Sequence, residues 1–421
     1  MRELLEPRPT DIAAALRTTT EALARELVSP TARAPEWTEL EWRIAEAASA
    51  MHGVSALLGG ASRWEGPARW QRFLQEQRHQ TSSRHAGIVE LLRNLDTLSR
   101  REGVAMTTLK GVALHALGVY RPGERPMADV DLVVRASDRA AATRVLEAAG
   151  YAVCLRTWKH DNFAPRAAHG IVGFGESAAN PVNVDLHVRI RERLPVVEVD
   201  ITPKVLVSQP QPGLNDYRSI AALMTHLLLH AAGNMRFRSL RLIQLHDIAR
   251  LAARLTADDW NAVVGIPPHW WALPPLQLAS HYFPQVVPLD VLARLERACP
   301  RWLRRACRRQ SLTDVSLSNL WIEAFPGIEW SPTPRERVRY VVDRIWPRRE
   351  VLVAREDVVR AVPWLAESAW TRMPQWRRIL HWARSRRPRY ETWHSVAAAL
   401  RDAPVEAAPA QRPEVSSAYN A

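Results

Sequence analysis

Two aspartates one residue apart, Asp129 and Asp131, are the residues whose type and spacing point most directly to chemistry. Residues two apart on a β-strand face the same way, so a strand over 130–134 would present both carboxylates side by side. Adjacent anions repel each other unless a cation lies between them. Mg²⁺ prefers oxygen ligands and keeps positions open for phosphate oxygens. The pair therefore indicates a metal site, and a polar strand end that turns into a loop is the alternative.

Two further segments carry residues of the same kind. Upstream, the apolar, β-prone run from Val104 ends in Leu109-Lys110-Gly111. Downstream, residues 181–188 read as a strand, on which Asp185 and His187 share a face by the same period of two. The predicted order is strand, Lys-Gly, helix, Asp-x-Asp strand, helix, and a strand with a third aspartate.

This order resembles the nucleotidyltransferases of the DNA polymerase β-like superfamily. The closer resemblance is to the branch known as uncharacterised nucleotidyltransferases, whose members read Leu-Lys-Gly, Arg-Pro-x-x-Asp-x-Asp-Leu-Leu-Val and Val-Asp-Leu-His. Here the motifs are Leu109-Lys110-Gly111, Arg125-Pro-Met-Ala-Asp-Val-Asp-Leu-Val-Val134 and Val184-Asp185-Leu186-His187. The resemblance is most specific over 85–190 and extends more weakly to about 265. Better-known superfamily members carry Gly-Ser after the first strand, where this chain has Lys110-Gly111-Val112.

The resemblance implies an α+β fold, with a small mixed sheet as the nucleotidyltransferase core inside mainly helical regions. It implies that Asp129 and Asp131 bind the metal ion on a nucleoside triphosphate. Asp185 would complete a second metal site and lower the pKa of the acceptor hydroxyl, or take its proton directly. Mg²⁺ or Mn²⁺ is the expected metal, and ATP is the expected triphosphate. His187 would support a metal ligand or orient the acceptor, and packing as an ordinary histidine at the strand end is the alternative.

The phosphate contacts implied by the resemblance are Lys110, Gly111 and Arg125. Gly111 permits close backbone approach, and the helix predicted over 112–118 would direct its N-terminal amides at an anion. Only three of the 57 basic residues are lysine, namely Lys110, Lys159 and Lys204. A compact ammonium at this turn therefore suggests a phosphate contact, with chance placement as the alternative.

Four regions are predicted along the chain: a helical N-terminal lobe (1–82), the α/β core (83–205), a helical C-terminal domain (206–402) and a disordered tail (403–421). The helix over 83–101 carries an apolar stripe that should back the sheet. The tail is rich in Ala, Pro, Glu and Ser, a composition that cannot bury enough apolar surface to fold.

The net charge of +13 invites a nucleic-acid interpretation. Much of the excess lies in arginine- and tryptophan-rich C-terminal segments, which either form solvated helix faces or contact an anionic partner. No recognisable nucleic-acid module accompanies them. The three cysteines lack metal-type spacing, no apolar run approaches the length of a membrane span, and Met1 to Glu6 does not resemble a signal peptide. A cytoplasmic protein is expected.

His226 and His230 lie four apart on a predicted helix, which is a zinc-compatible spacing, but a satisfied core or interface role is favoured. The leading prediction is a metal-dependent enzyme that moves a nucleoside monophosphate from a triphosphate to a hydroxyl on a small molecule, sugar or peptide natural product. Another phosphotransfer at the same site is one alternative. A non-catalytic scaffold or binding partner in a biosynthetic assembly is the other.

Overall fold

The computed structural model describes residues 7–167, 174–347 and 373–401. It is a mixed α+β protein in which helices surround one six-stranded mixed sheet, and the predicted fold class is confirmed. The predicted tail, residues 403–421, lies outside the described residues. The division into four regions stays a prediction.

The six-stranded sheet has the order β3-β4-β5-β2-β1-β8. β2 pairs in parallel with β5, whereas β1 runs antiparallel to β2 and β4 runs antiparallel to β5. A separate hairpin pairs β6 with β7. The strands are β1 Ala105–Thr108, β2 Asp129–Val133, β3 Tyr151–Arg156, β4 His160–Pro165, β5 Asn183–His187, β6 Arg191–Leu194, β7 Val197–Asp200 and β8 Gly213–Asn215.

Helices precede, connect and follow these strands. Before and within the sheet region they are α1 Pro9–Val28, α2 Glu39–Met51, α3 Ser55–Ala61, α4 Ala68–Arg101, α5 Lys110–Ala116, α6 Arg139–Ala148 and α7 Thr202–Val205. After it they are α8 Ile220–Phe237, α9 Leu242–Ala252, α10 Ala257–Val264, α11 Leu273–Tyr282, α12 Leu289–Ala298, α13 Arg301–Cys307, α14 Leu312–Val315, α15 Pro334–Ile345, α16 Gln375–Arg384 and α17 Tyr390–Leu400. Short 3-10 turns lie at Ala136–Asp138, Trp270–Ala272 and Ile328–Trp330.

One face of the sheet is apolar and packs on α4 and α6. Alternate residues of β2 and β5 supply it because strand side chains alternate between faces. The buried cluster joins these residues to the predicted stripe of α4 and to α6: Ile88, Leu95, Val130, Leu132, Val145, Leu146, Phe163, Val184 and Leu186. The expectation that this helix backs the sheet is confirmed. The opposite face is thereby left for the polar residues of the same strands.

A larger core joins the N-terminal helices to α8–α14 and contains Leu23, Leu58, Trp70, Leu228, Leu245, Trp271 and Leu303. The last described helix, α17, packs near α2 and α4, where Arg43 and Arg69 donate hydrogen bonds to the carbonyls of Leu400 and Ala399. Within the described ranges, no helix combines the length and apolar content that crossing a bilayer requires.

Candidate active site

The polar face of the sheet gathers the three predicted aspartates. In the parallel β2–β5 pair, Asp131 is the register partner of Asp185, and Asp129 is the partner of Asn183. Asp129 and Asp131 share a face because they are two residues apart on β2. All three carboxylates line one cavity of about 610 Å³. The structure therefore brings the predicted triad to one surface.

Asp131 is buried and held by two cationic or polar neighbours. Lys110 Nζ lies 2.8 Å from its Oδ1, and His187 Nε2 lies 3.0 Å from the same oxygen. Burial would raise the pKa of Asp131, but the Lys110 charge and the His187 hydrogen bond hold that pKa well below its usual range. Asp131 is therefore ionised at neutral pH, and His187 contacts a candidate metal ligand directly.

Lys110 is the first residue of α5 and directly follows the short connection after β1. The backbone of Lys110 has a positive φ of 46°, and its amide donates to the hydroxyl of Tyr217 over 3.1 Å. Burial would lower the pKa of the Lys110 ammonium, but Asp131 and Asp129 raise it above the ordinary value. Lys110 thus stays charged beside the carboxylates, where it can also meet a phosphate oxygen.

Asp185 has a different environment on the adjacent strand. Asn162 Nδ2 donates to its Oδ1 over 2.6 Å, and His160 Nε2 lies 3.3 Å from its Oδ2. Burial and the neighbouring charge of Asp131 raise the pKa of Asp185 to about 6. Asp131 and Asp185 therefore have different pKa values on the same surface. Such a difference is found in sites where one carboxyl group acts as a general acid or base.

Arg125 lies at the edge of the same cavity in a buried ion pair. Its Nε and Nη2 donate to the two carboxylate oxygens of Asp247 on α9, over 2.8 and 2.7 Å. A Cβ at position 111 would collide with its Nη1, so Gly111 makes room for this guanidinium. Arg125 is predicted to contact a phosphate, so it would have to bind the ligand while its guanidinium stays paired with Asp247.

Arg84 of α4 ties together the two chain segments that lead into β2 and β5. Its guanidinium donates to the carbonyls of Met127 and Ala128 before β2, over 2.8 and 2.6 Å. It also donates to those of Asn180 and Pro181 before β5, over 2.7 and 3.1 Å. One buried side chain therefore sets the relative position of the strands that carry the aspartates.

A second charged cluster lines the cavity beyond β4. Lys159 Nζ contacts Glu192 Oε1, and His230 Nδ1 lies 3.9 Å from that oxygen. Burial would raise the pKa of Glu192, but Lys159 and His230 lower it to about 2. Two of the chain's three lysines thus face this cavity. Glu192 Oε2 is buried without a hydrogen-bond partner and lies against Gly233 of α8.

The far wall of the cavity comes from other parts of the chain. Phe174, Trp321 and Tyr390 contribute aromatic rings, and Glu391 and His394 add polar groups. The volume is within the range of small-molecule sites. The cavity therefore combines a carboxylate floor with a wall suited to a partly aromatic or apolar ligand.

The family model of the uncharacterised nucleotidyltransferases matches residues 38–288, more than half of the 421 residues. The chain belongs to this family. The predicted family is confirmed, and its membership indicates nucleotidyl transfer in general, with a nucleoside triphosphate as substrate. No curated protein and no solved structure is significantly similar to the chain.

The family match contains all of the predicted site residues, whereas Trp321 and Tyr390 lie beyond it. The helix histidines of this nucleotidyltransferase behave as favoured from the sequence. His226 Nδ1 lies 2.6 Å from the Tyr217 hydroxyl, and burial keeps the pKa of His226 well below its ordinary value. His230 interacts with Glu192 and Asn234.

Sequence reasoning missed His160, Arg84 and Glu192. His160 and Asn162 on β4 repeat the two-residue spacing of Asp129 and Asp131, and that alternation is the signal that could have identified them. Arg84 donates to backbone carbonyls, so no side-chain pattern announces it. Glu192 is indicated only by its contact with Lys159, one of the three lysines.

Proposed function

We propose that this nucleotidyltransferase transfers a nucleoside monophosphate from a triphosphate, with ATP as the expected donor, to a hydroxyl of a small molecule, sugar or peptide natural product. The observation that carries the proposal is the register of β2 and β5, which places Asp131 opposite Asp185 with Asp129 on the same face. Nucleotidyl transfer needs positioning and cationic stabilisation of phosphate oxygens, and this surface supplies groups for both.

The donor set fits a divalent metal ion. Asp129, Asp131 and Asp185 present carboxylate oxygens on one face, which is the chemistry that Mg²⁺ and Mn²⁺ prefer. When bound, the metal neutralises phosphate charge and lowers the pKa of a coordinated hydroxyl. Burial and the repulsion from Asp131 raise the pKa of Asp185, and the repulsion is a second sign that these carboxylates suit a cation.

The nucleotide phosphates are assigned to the β1–α5 side of the sheet. Lys110 and Arg125 both line the cavity there, and Gly111 allows the guanidinium of Arg125 to lie against the first turn of α5. Their fixed positive charges favour the transition state, in which negative charge gathers on phosphate oxygens. Arg125 acts from its Asp247-held position, since that ion pair restricts its rotation.

The acceptor is assigned to the opposite side, toward β4. Asp185 lies on that side in the strand order, where it either completes the metal site or, with a pKa of about 6, accepts the proton of an attacking hydroxyl directly. The aromatic wall formed by Trp321 and Tyr390 supports a small or peptidic acceptor with apolar surface.

The test is transfer of label from the α- or the γ-position of each nucleoside triphosphate. The full chain is incubated with Mg²⁺ or Mn²⁺ and a fractionated extract of small molecules and peptides. The proposal predicts that α-label, and not γ-label, enters a product, and that Asp185→Asn abolishes the transfer. Transfer of γ-label would show a kinase-type reaction instead. Absence of metal and nucleotide binding would favour the scaffold alternative.

A further inference from the structure

The polar face of the sheet does not end at Asp185 but continues onto β4. In the antiparallel β4–β5 pair, His160 is the register partner of His187, and Asn162 is the partner of Asp185. Their side chains share the aspartate face because cross-strand partners project to the same side. Two imidazoles and a carboxylate therefore lie side by side at the cavity floor.

The spacing of these three groups is that of a metal site. One ligand atom from each of His160, Asp185 and His187 lies within 4.8 Å of the others. His160 Nε2 is 3.3 Å from Asp185 Oδ2, and the two imidazole rings are 5.0 Å apart between centroids. A single cation could thus reach a nitrogen from each ring and an oxygen from the carboxylate.

The surroundings of Asp185 leave its charge for such a cation. Among the described residues, no arginine or lysine forms a salt bridge with Asp185, whereas Lys110 pairs with Asp131 on the neighbouring strand. Asn162 fixes the other oxygen of Asp185 and so orients Oδ2 toward the rings. Hydrogen bonds of this kind orient metal-ligating carboxylates.

The ligand types at the two ends of the surface differ. Asp129 and Asp131 offer only carboxylate oxygens, which suit Mg²⁺. His160 and His187 offer imidazole nitrogens, which Mg²⁺ rarely takes and which suit divalent transition metals. The two ends therefore should not select the same ion.

We propose that His160, Asp185 and His187 form a binding site for a divalent transition metal ion of the Fe²⁺, Co²⁺ and Zn²⁺ class, beside the oxygen-only position at Asp129 and Asp131. Three protein ligands leave further coordination positions open, as in metal sites that also bind a substrate oxygen. The use of this ion in transfer rests on the proposed function, but its binding does not.

The experiment measures metal binding to the full chain, purified without a polyhistidine tag. Co²⁺ is titrated while its ligand-field absorption is recorded, and Mg²⁺ binding is measured by calorimetry. We expect His160→Ala and His187→Asn each to weaken Co²⁺ binding about tenfold or more and to change the spectrum. Mg²⁺ binding should change less than about twofold in His160→Ala, whereas His187→Asn also removes a hydrogen bond to Asp131. Asp161→Asn, on the other face of β4, is the matched control and should leave both unchanged.

Two results would overturn the proposal. One is Co²⁺ binding with the same affinity and spectrum in the wild type and in both histidine variants. The other is absence of Co²⁺ binding to a wild-type chain that is folded by circular dichroism. A histidine-dependent Co²⁺ site in a protein that transfers no label would support this inference and contradict the proposed function. Label transfer without such a site would do the reverse.

Discussion

The ten residues of β2 and β5 project alternately to two faces of the sheet, and the two faces have different roles. Val130, Leu132, Val184 and Leu186 pack against α4 and α6, whereas Asp129, Asp131, Asp185 and His187 line the cavity. The difference follows from the two-residue alternation of a strand. The apolar face stabilises the sheet by packing. This stabilisation offsets the cost of burying charged groups on the polar face.

The largest predicted effect compares neighbouring residues on β5. Asp185→Asn should lower label transfer about a hundredfold to a thousandfold, since it removes a charge at the reacting centre. Its stability should be unchanged or raised, because burial and Asp131 disfavour the Asp185 charge. Leu186→Ala should instead cost about 2 to 5 kcal/mol of unfolding free energy. Steady-state assays and denaturant unfolding check the pair. A large loss of stability in Asp185→Asn would contradict the division of roles.

The next prediction concerns the clamp that holds the polar face in register. Arg84→Met should weaken metal binding and transfer about tenfold to a hundredfold, because both strands lose a shared anchor. Arg84→Lys keeps the charge but not the forked geometry, so its metal affinity and transfer rate should lie between those of Arg84→Met and the wild type. Arg78→Lys on the same helix, where Arg78 donates to Gly59, is the control and should bind metal normally. Equal metal affinity in all four proteins would refute the clamp.

The unfolding free energy should fall in acid because of a buried histidine in the helical part of the molecule, away from the sheet. Burial lowers the pKa of His52 to about 3, and its Nδ1 accepts a hydrogen bond from the amide of Leu242. The unfolded chain binds a proton here near pH 6.5, whereas the folded chain does not. Stability from His52 is therefore full above pH 6.5 and falls by about 1.4 kcal/mol per pH unit below it, down to about pH 3. Denaturant unfolding between pH 7.5 and 5 should show a weaker pH dependence in His52→Gln. Identical slopes would contradict this assignment.

The smallest effect belongs to a carboxylate on the apolar side of the sheet. Asp161 is the register partner of Leu186 and pairs with Arg139 of α6, whose side chain is 47% exposed. Asp161→Asn should cost about 1 kcal/mol of unfolding free energy, because a partly solvated ion pair contributes little. Transfer and metal binding should stay at wild-type levels. If Asp161→Asn lost as much transfer activity as Asp185→Asn, the face of the sheet on which a residue lies would not determine its role in transfer.

The sequence predicted the parts of this site that depend on local alternation. β2, β5 and the turn at Lys110 follow from residues within a few positions of one another. β4 was missed because its place beside β5 is a long-range pairing that no local pattern encodes. The partner of Arg125 is likewise 122 residues away, on α9. The far wall with Trp321 and Tyr390 depends on the long-range packing of α17 near α4. The four-region division and the predicted role of each site residue stay predictions.

The most direct test of the central claim measures pyrophosphate released from nucleoside triphosphate in the acceptor-containing extract. Wild type, Asp185→Asn and Asp161→Asn are compared under the same metal concentration. The account predicts release by the wild type and by Asp161→Asn, matched by α-label in the product, and none above background by Asp185→Asn. Undiminished release by Asp185→Asn, or equal loss in both variants, would contradict the claim that the polar face of the sheet is the transfer site.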